Sequence, residues 1–151
     1  MKHLMIIYHS QGNKTAAMAE AVTAGAHCEE AVETRVKSAF DADLDDLLWA
    51  DGLIFGTPEN FGYMSGALKD FFDRTFYPAE PHHLNLPYAL FVGAGNDGSG
   101  AVREVDRIAL GYPLRKIAEP VVAVGELDDN DRQACHELGH SFAAGLAMGI
   151  F

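Results

Sequence analysis

The sequence predicts an α/β protein, an open doubly wound parallel sheet with helices packed on both faces in three layers. Five short apolar runs rich in Val, Ile, Leu and Phe alternate along the chain with segments of helical spacing. Several of those runs are apolar at every position, the pattern of a strand covered on both sides. At 151 residues and 48% apolar composition, the chain is long enough for one complete hydrophobic core, so residues 1–151 are expected to form a single domain.

The strands are expected at His3–Tyr8, Ala31–Val36, Gly52–Gly56, Tyr88–Gly95 and Pro120–Gly125, each bounded by glycine or polar turns. Lys14–His27 reads as a helix with Asn13 at its N-cap and Ala17, Met18, Ala21 and Val22 on its apolar side. Asp41–Trp49 reads as a short helix capped by Asp41 or Asp43. Ser65–Tyr77 carries Leu68, Phe71, Phe72 and Phe76 at steps of three and four. Ser99–Leu110 and Asp131–Met148 repeat that spacing through Val105 and Ile108, and through Cys135, Leu138, Phe142 and Leu146. Pro78–Pro87, with His82 and His83, has neither period and is expected to be a loop beside the ligand edge. Parallel neighbours need crossover helices, and ligands of such sheets bind outside the carboxyl ends of the strands. The loops after strands one, three and four are therefore the candidate site.

Charge and cysteine content exclude several classes. Eleven basic against 22 acidic side chains give a formal charge of −11, with no cluster of Lys or Arg, so nucleic acid and anionic membranes are not expected partners. No apolar run approaches the roughly 18 residues of a membrane span, and the first residues read as a strand rather than a secretory leader. Cys28 and Cys135 are far apart and in no C-x-x-C pair, which predicts reduced core thiols and a cytoplasmic protein.

The first candidate loop contains Ser10, Gln11, Gly12, Asn13, Lys14 and Thr15, a run of hydroxyl, amide and glycine with one cation, opening a helix. A helix N-terminus presents free backbone N–H groups and about half a positive charge, so this loop suits an anion. It is no Walker A loop, because the first glycine of that motif is missing and Asn13 stands in place of the second. The second loop contains Thr57, Pro58, Glu59, Asn60, Phe61, Gly62 and Tyr63. Glycines beside two aromatic residues suit a planar ring system such as an isoalloxazine, although Phe61 and Tyr63 would serve equally as helix packing. In the third loop, Gly93, Ala94, Gly95, Asn96, Asp97 and Gly98 satisfy G-x-G-x-x-G. A dinucleotide fingerprint belongs in the first βα unit with an acidic residue about 20 positions on, and here that place falls at Pro113–Lys116. A glycine loop letting backbone approach one edge of a flat ligand is the preferred reading.

His136-Glu137-Leu138-Gly139-His140 is a literal H-E-x-x-H. The extended zinc-peptidase pattern would need Gly and His at positions held by Ala143 and Leu146, and the wheel turns His136 and His140 away from Leu138 and Phe142 toward solvent. No metal is expected there beyond adventitious surface binding.

The residues Gly56-Thr57-Pro58-Glu59-Asn60-Phe61-Gly62-Tyr63-Met64-Ser65-Gly66, followed by Leu68 and Phe71-Phe72-Asp73, resemble the signature G-T-P-x-x-F-G-x-M-x-G. That signature belongs to flavodoxin-like FMN proteins of the tryptophan-repressor-binding-protein type of NAD(P)H:quinone oxidoreductase. Ser10–Thr15 resembles the family's FMN phosphate loop and Gly93–Gly100 its glycine-rich flavin loop. The resemblance implies a five-stranded sheet in the order 2-1-3-4-5 and noncovalent FMN held by all three loops, with Glu59 near the flavin. It also implies an oxidoreductase passing reducing equivalents from NAD(P)H to a quinone or similar acceptor. A one-electron carrier docking a basic redox partner and a flavin-binding regulatory protein are the competing classes. The small residues Ala143–Ala147 fit either the sheet or a second copy of the chain in a homo-oligomer.

Overall fold

The computed structural model describes residues 1–151. In chain order it contains β1 (Lys2–Tyr8), α1 (Lys14–Ala26), β2 (Val32–Ser38), α2 (Leu44–Trp49), β3 (Gly52–Pro58) and α3 (Gly66–Ala79). These are followed by β4 (Leu86–Ala94), α4 (Ser99–Gly111), β5 (Leu114–Lys116), β6 (Val121–Val124) and α5 (Asp129–Met148). Every strand pairing is parallel, in the order β2-β1-β3-β4-β5, with β6 also on β4. The fifth position of the sheet is thus one broken strand: β5 pairs Leu86–Tyr88 of β4, and β6 pairs Phe91–Ala94. Pro120 lies in the break, and having no N–H it cannot continue a ladder.

Burial on both faces explains why the central strands β1, β3 and β4 carry long apolar runs, whereas the edge strand β2 is largely polar. Met5, Ile7, Leu53, Phe55, Leu90 and Val92 face Leu47, Leu68, Phe71, Phe72 and Val105 of α2, α3 and α4. Leu4, Ile6, Ile54, Ala89 and Phe91 face Met18, Val22, Leu138 and Phe142 of α1 and α5. The two helices of the second layer meet closely through glycine. A Cβ at Gly25 would stand 1.9 Å from the His136 carbonyl oxygen, and one at Gly139 would stand 1.9 Å from that of Val22. The buried face of α1 is Met18, Ala19, Val22 and Ala26, with Ala17 and Ala21 only half-buried, because this contact with α5 turns the helix from its predicted face.

The structure departs from several expectations. Helix α3 runs through Pro78 to Ala79, followed by a 3₁₀ turn at Glu80–His82, where a loop over Pro78–Pro87 was predicted. A proline in the last turn forfeits one helix bond, and complete burial of Ala79 holds the turn in place. His82 and His83 precede β4, so they sit at the amino edge of the sheet, opposite the loops that leave β1, β3 and β4. They have no place in the candidate site. Cys135 is a core thiol, pushed up to about 11 by burial, but Cys28 is exposed beyond the C-terminus of α1. Ala143, Gly145 and Leu146 are buried within the chain itself, and a Cβ at Gly145 would stand 2.2 Å from the Phe151 ring. Ala143 and Gly145 thus pack on their own chain, while Ala144 is half-buried and Ala147 exposed.

Candidate functional site at the carboxyl edge of the sheet

All three predicted loops leave the carboxyl ends of β1, β3 and β4, which are neighbours in the sheet. Hydrogen bonds tie each loop to the other two. Asn60 Nδ2 donates to Gln11 Oε1 at 2.7 Å, joining the second loop to the first. Lys14 Nζ donates to the Ala94 carbonyl at 2.9 Å, joining the first to the third. The backbone N–H of Glu59 donates to the Gly93 carbonyl at 3.0 Å, joining the second to the third.

In the first loop Ser10, not Asn13, supplies the side-chain cap. Its Oγ accepts the Ala16 N–H at 3.0 Å and donates to the Gly12 carbonyl at 2.6 Å, while the Asn13 side chain makes no cap bond. The N–H groups of Asn13, Lys14 and Thr15 have no acceptor within the chain. This first turn therefore keeps its donors and the positive end of the α1 dipole free. The Lys14 ammonium was expected beside them. The structure turns it onto the third loop, and partial burial holds its pKa below the ordinary lysine value. The side chain of Thr15 is buried against Gly93.

The second loop is pinned from beneath and exposed above. Thr57 is fully buried, its hydroxyl donating to the Pro58 carbonyl and accepting the Ser65 N–H, so it braces the loop and has no ligand-facing surface. Asn60 and Tyr63 exchange both backbone bonds, at 2.8 and 3.0 Å, across a two-residue turn with Phe61 at φ 53° and Gly62 at φ 71°. Positive φ at both central positions is the primed-turn geometry that glycine and asparagine favour, and phenylalanine is an uncommon residue there. Phe61 is also wholly exposed, at 107%, so packing on a helix does not explain it. A ring of that size forgoes about 1.5–3 kcal/mol when left in water. Two costs fall on one residue at the mouth of the site. Tyr63 instead lines a 470 Å³ groove between α3 and α4 with Phe72 and Phe76.

The third loop has its helix terminus already filled. Glu59 Oε2 accepts the N–H groups of Gly100 and Ala101 at 3.0 and 3.2 Å, and Asp97 Oδ1 accepts that of Ser99 at 3.1 Å. The Ser99 bonds hold the Asp97 carboxyl below the usual range. Gly98 begins α4 in the left-handed region at φ 73°, and Gly95, Asn96 and Asp97 are exposed. A Cβ at Gly100 would lie 2.0 Å from the Gly62 carbonyl oxygen, so the turn carrying Phe61 rests directly on the start of α4. Sequence reasoning missed both this contact and the capping role of Glu59. The spare glycine at position 100 was the available signal. The Glu59 carboxylate is held at the positive end of α4 and acts as a strut between loops. Glu59→Ala is expected to cost about 2 kcal/mol in chemical denaturation, and Glu59→Gln, which keeps one acceptor oxygen, about half as much. Equal losses for the two variants would remove the helix cap as the cause.

Three glycines, Gly12, Gly66 and Gly95, stand without an internal reason. They have ordinary negative or extended φ and nothing within 4 Å of an added Cβ, so neither conformation nor packing calls for glycine. Gly12 and Gly95 border the free N–H groups of α1 or the exposed edge of the third loop, where a ligand lying against backbone would need that room. The donor set, the open glycines and the exposed aromatic ring fit a flat molecule with an anionic tail.

Residues 17–127 match the family described as NADPH-dependent FMN reductase. The chain belongs to that family. Among curated relatives it is 42% identical over 73 residues to a flavodoxin of Aquifex aeolicus (strain VF5), covering 48% of this chain and 40% of that protein. It is 33% identical over 95 residues to an NAD(P)H dehydrogenase (quinone) of Acidithiobacillus ferrooxidans, covering 50% of this chain and 48% of the relative. The matches thus span about half the length, or less, of these relatives. In architecture this family member is similar to a flavodoxin from the domain Archaea, at TM-score 0.84 and 24% identity over 95% of this chain and 98% of the other. It is also similar to a WrbA-like flavodoxin of Agrobacterium tumefaciens, at TM-score 0.81 and 21% identity over 99% of both chains. The fold is flavodoxin-like, three layers with the predicted strand order. No helix of this family member is long and apolar enough to cross a membrane.

Proposed function

We propose that the three joined loops hold FMN and that the protein passes reducing equivalents from NAD(P)H to a quinone or similar small acceptor. One observation carries the placement of the cofactor. Of the two helices that open from the first and third loops, α4 has its N-terminal donors taken by Glu59 and Asp97, whereas α1 keeps the N–H groups of Asn13, Lys14 and Thr15 free beside an open glycine. The FMN phosphate belongs on α1.

When bound, the flavin supplies the hydride chemistry at its N5 position. The chain supplies position and field. Backbone N–H groups of α1 bind the phosphate, with the Ser10 side chain already fixing the turn that presents them. Gly95 lets the main chain of the third loop approach a ring edge, and Phe61 offers an unpacked aromatic face at the mouth. The proposed route asks for no acid or base side chain at the site, so binding residues carry the assignment.

The test is steady-state oxidation of NADPH and NADH by benzoquinone with the FMN-loaded protein. Saturable turnover is expected. Its absence, with tight FMN binding and a half-reduced flavin that persists on titration with dithionite, would replace this reading with that of a one-electron carrier. The second reading is favoured by the flavodoxin relative and by the formal charge of −11, which would steer a basic redox partner to the surface. The ratio of the two rates chooses between NADPH and NADH as donor.

A further inference from the structure

The geometry points to a transition-metal site that clips the end of α1 to the middle of α5, with Cys28 and His136 as its two preset ligands and His140 as the third. Cys28 Sγ lies 3.8 Å from His136 Nε2. A tetrahedral zinc ion with Zn–S of about 2.3 Å and Zn–N of about 2.05 Å places those two ligand atoms about 3.6 Å apart, so the pair is spaced to share one ion. The helices are brought together beside the pair: Gly25 packs against the His136 carbonyl, and Gly139 packs against that of Val22. His140 stands one turn on from His136, its ring 6.4 Å away centre to centre. No group of three donors converges as the side chains lie, and His140, which is exposed, completes the set by rotating toward the pair.

Two readings of an exposed thiol beside an imidazole compete, and the local field separates them. A nucleophilic thiolate needs a positive surrounding such as a helix N-terminus or neighbouring Lys or Arg. Cys28 instead follows the C-terminal end of α1, where the dipole is negative, and its Sγ contacts the Ala24 carbonyl at 3.5 Å. Residues 24–31 and 133–144 contain no Lys or Arg and include Glu29, Glu30 and Glu137. Such surroundings suit a bound cation. One thiolate and two imidazoles are the donor set of a zinc-class ion rather than of calcium or magnesium, which take oxygen ligands. A water completes the coordination, and the ion's effect is mechanical, tying the far end of the helix whose first turn forms the anion loop. The inference stands apart from the flavin reading, because it uses none of the residues of the three loops.

Cobalt(II) added to the full chain under a phosphine reductant tests it. The wild type is expected to take up one equivalent and develop the near-ultraviolet thiolate-to-cobalt absorption and the visible bands of a tetrahedral ion. Zinc titrated by calorimetry should bind with the same stoichiometry and raise the melting temperature. Cys28→Ser should abolish the thiolate band and weaken zinc by more than about tenfold, and His136→Gln and His140→Gln should each weaken it by about tenfold or more. Cys28 and His140 are exposed and His136 is half-buried, and unchanged far-ultraviolet dichroism will show each variant folded. A wild type lacking the thiolate band, or zinc affinity unchanged in Cys28→Ser and His136→Gln, would overturn the site. Loss in those two variants with none in His140→Gln would overturn the third ligand.

Discussion

Gly139→Ala is expected to lower folding stability by about 3 kcal/mol or more, which for a domain of this size is roughly a 10 °C fall in melting temperature. The added Cβ would stand 1.9 Å from the Val22 carbonyl oxygen and 3.0 Å from the Ala26 N, so it meets backbone on the facing helix rather than a side chain that can swing away. Relief requires α1 and α5 to separate, and that opens the layer formed by Met18, Val22, Leu138 and Phe142. Gly25→Ala meets the His136 carbonyl in the same way and should cost a similar amount. Because both substitutions are relieved by one displacement, the double variant should lose less than the sum. Gly66→Ala, at the start of α3 with nothing within 4 Å, is the matching control and should be neutral or slightly stabilising. Guanidinium denaturation of the wild type and the four variants measures all of this. A loss below about 1 kcal/mol for Gly139→Ala would mean that the two helices do not touch as described.

The second large effect is on the ligand rather than on the fold. Gly12→Asp is expected to leave stability within about 0.5 kcal/mol of wild type, since the position has an unstrained backbone and open space before it. The new carboxylate would stand beside the free N–H groups of Asn13, Lys14 and Thr15 and occupy the field meant for an anion. At about 6 Å and an effective dielectric of about 20, each unit of phosphate charge meets roughly 3 kcal/mol of repulsion, on the order of a hundredfold in affinity. FMN binding should fall by that factor, while riboflavin, which has no phosphate, should change little. Flavin fluorescence quenching with both ligands reads the difference. Equal losses for FMN and riboflavin would move the phosphate away from α1.

Much of the molecule is legible from the chain, for reasons that the structure makes plain. Strand runs such as Leu4–Ile7 and Leu53–Phe55 are apolar at successive positions because each residue enters one of two cores, and that constraint is written locally. The positions of the three loops follow from strand direction alone, since every crossover returns the chain to the same edge. Less legible was anything decided by a distant partner. Asn13 has the residue type of a cap, yet Ser10 does the capping, because the turn at Gly12 brings the hydroxyl back over the helix. Lys14 sits in the anion loop by sequence and on the Ala94 carbonyl by structure, 80 positions away. Proline at position 78 signals a boundary, and burial of Ala79 overrides it. Cys28 reads as core by composition and lies in the open because α1 ends at Ala26.

The sequence by itself determined the fold class and the edge at which the ligand loops gather, because hydrophobic period and turn residues act over a few neighbouring positions. The break of the fifth strand into β5 and β6 came only with the structure. Only the tertiary structure decided which helix terminus is free. Glu59 reaches α4 across 41 positions and fills its donors, so of the helices opening from the first and third loops α1 is the open one. It likewise decided that Cys28 meets His136 across 108 positions. Such pairings depend on how packed layers bring remote segments together, and no local pattern encodes the distance between two side chains on different helices.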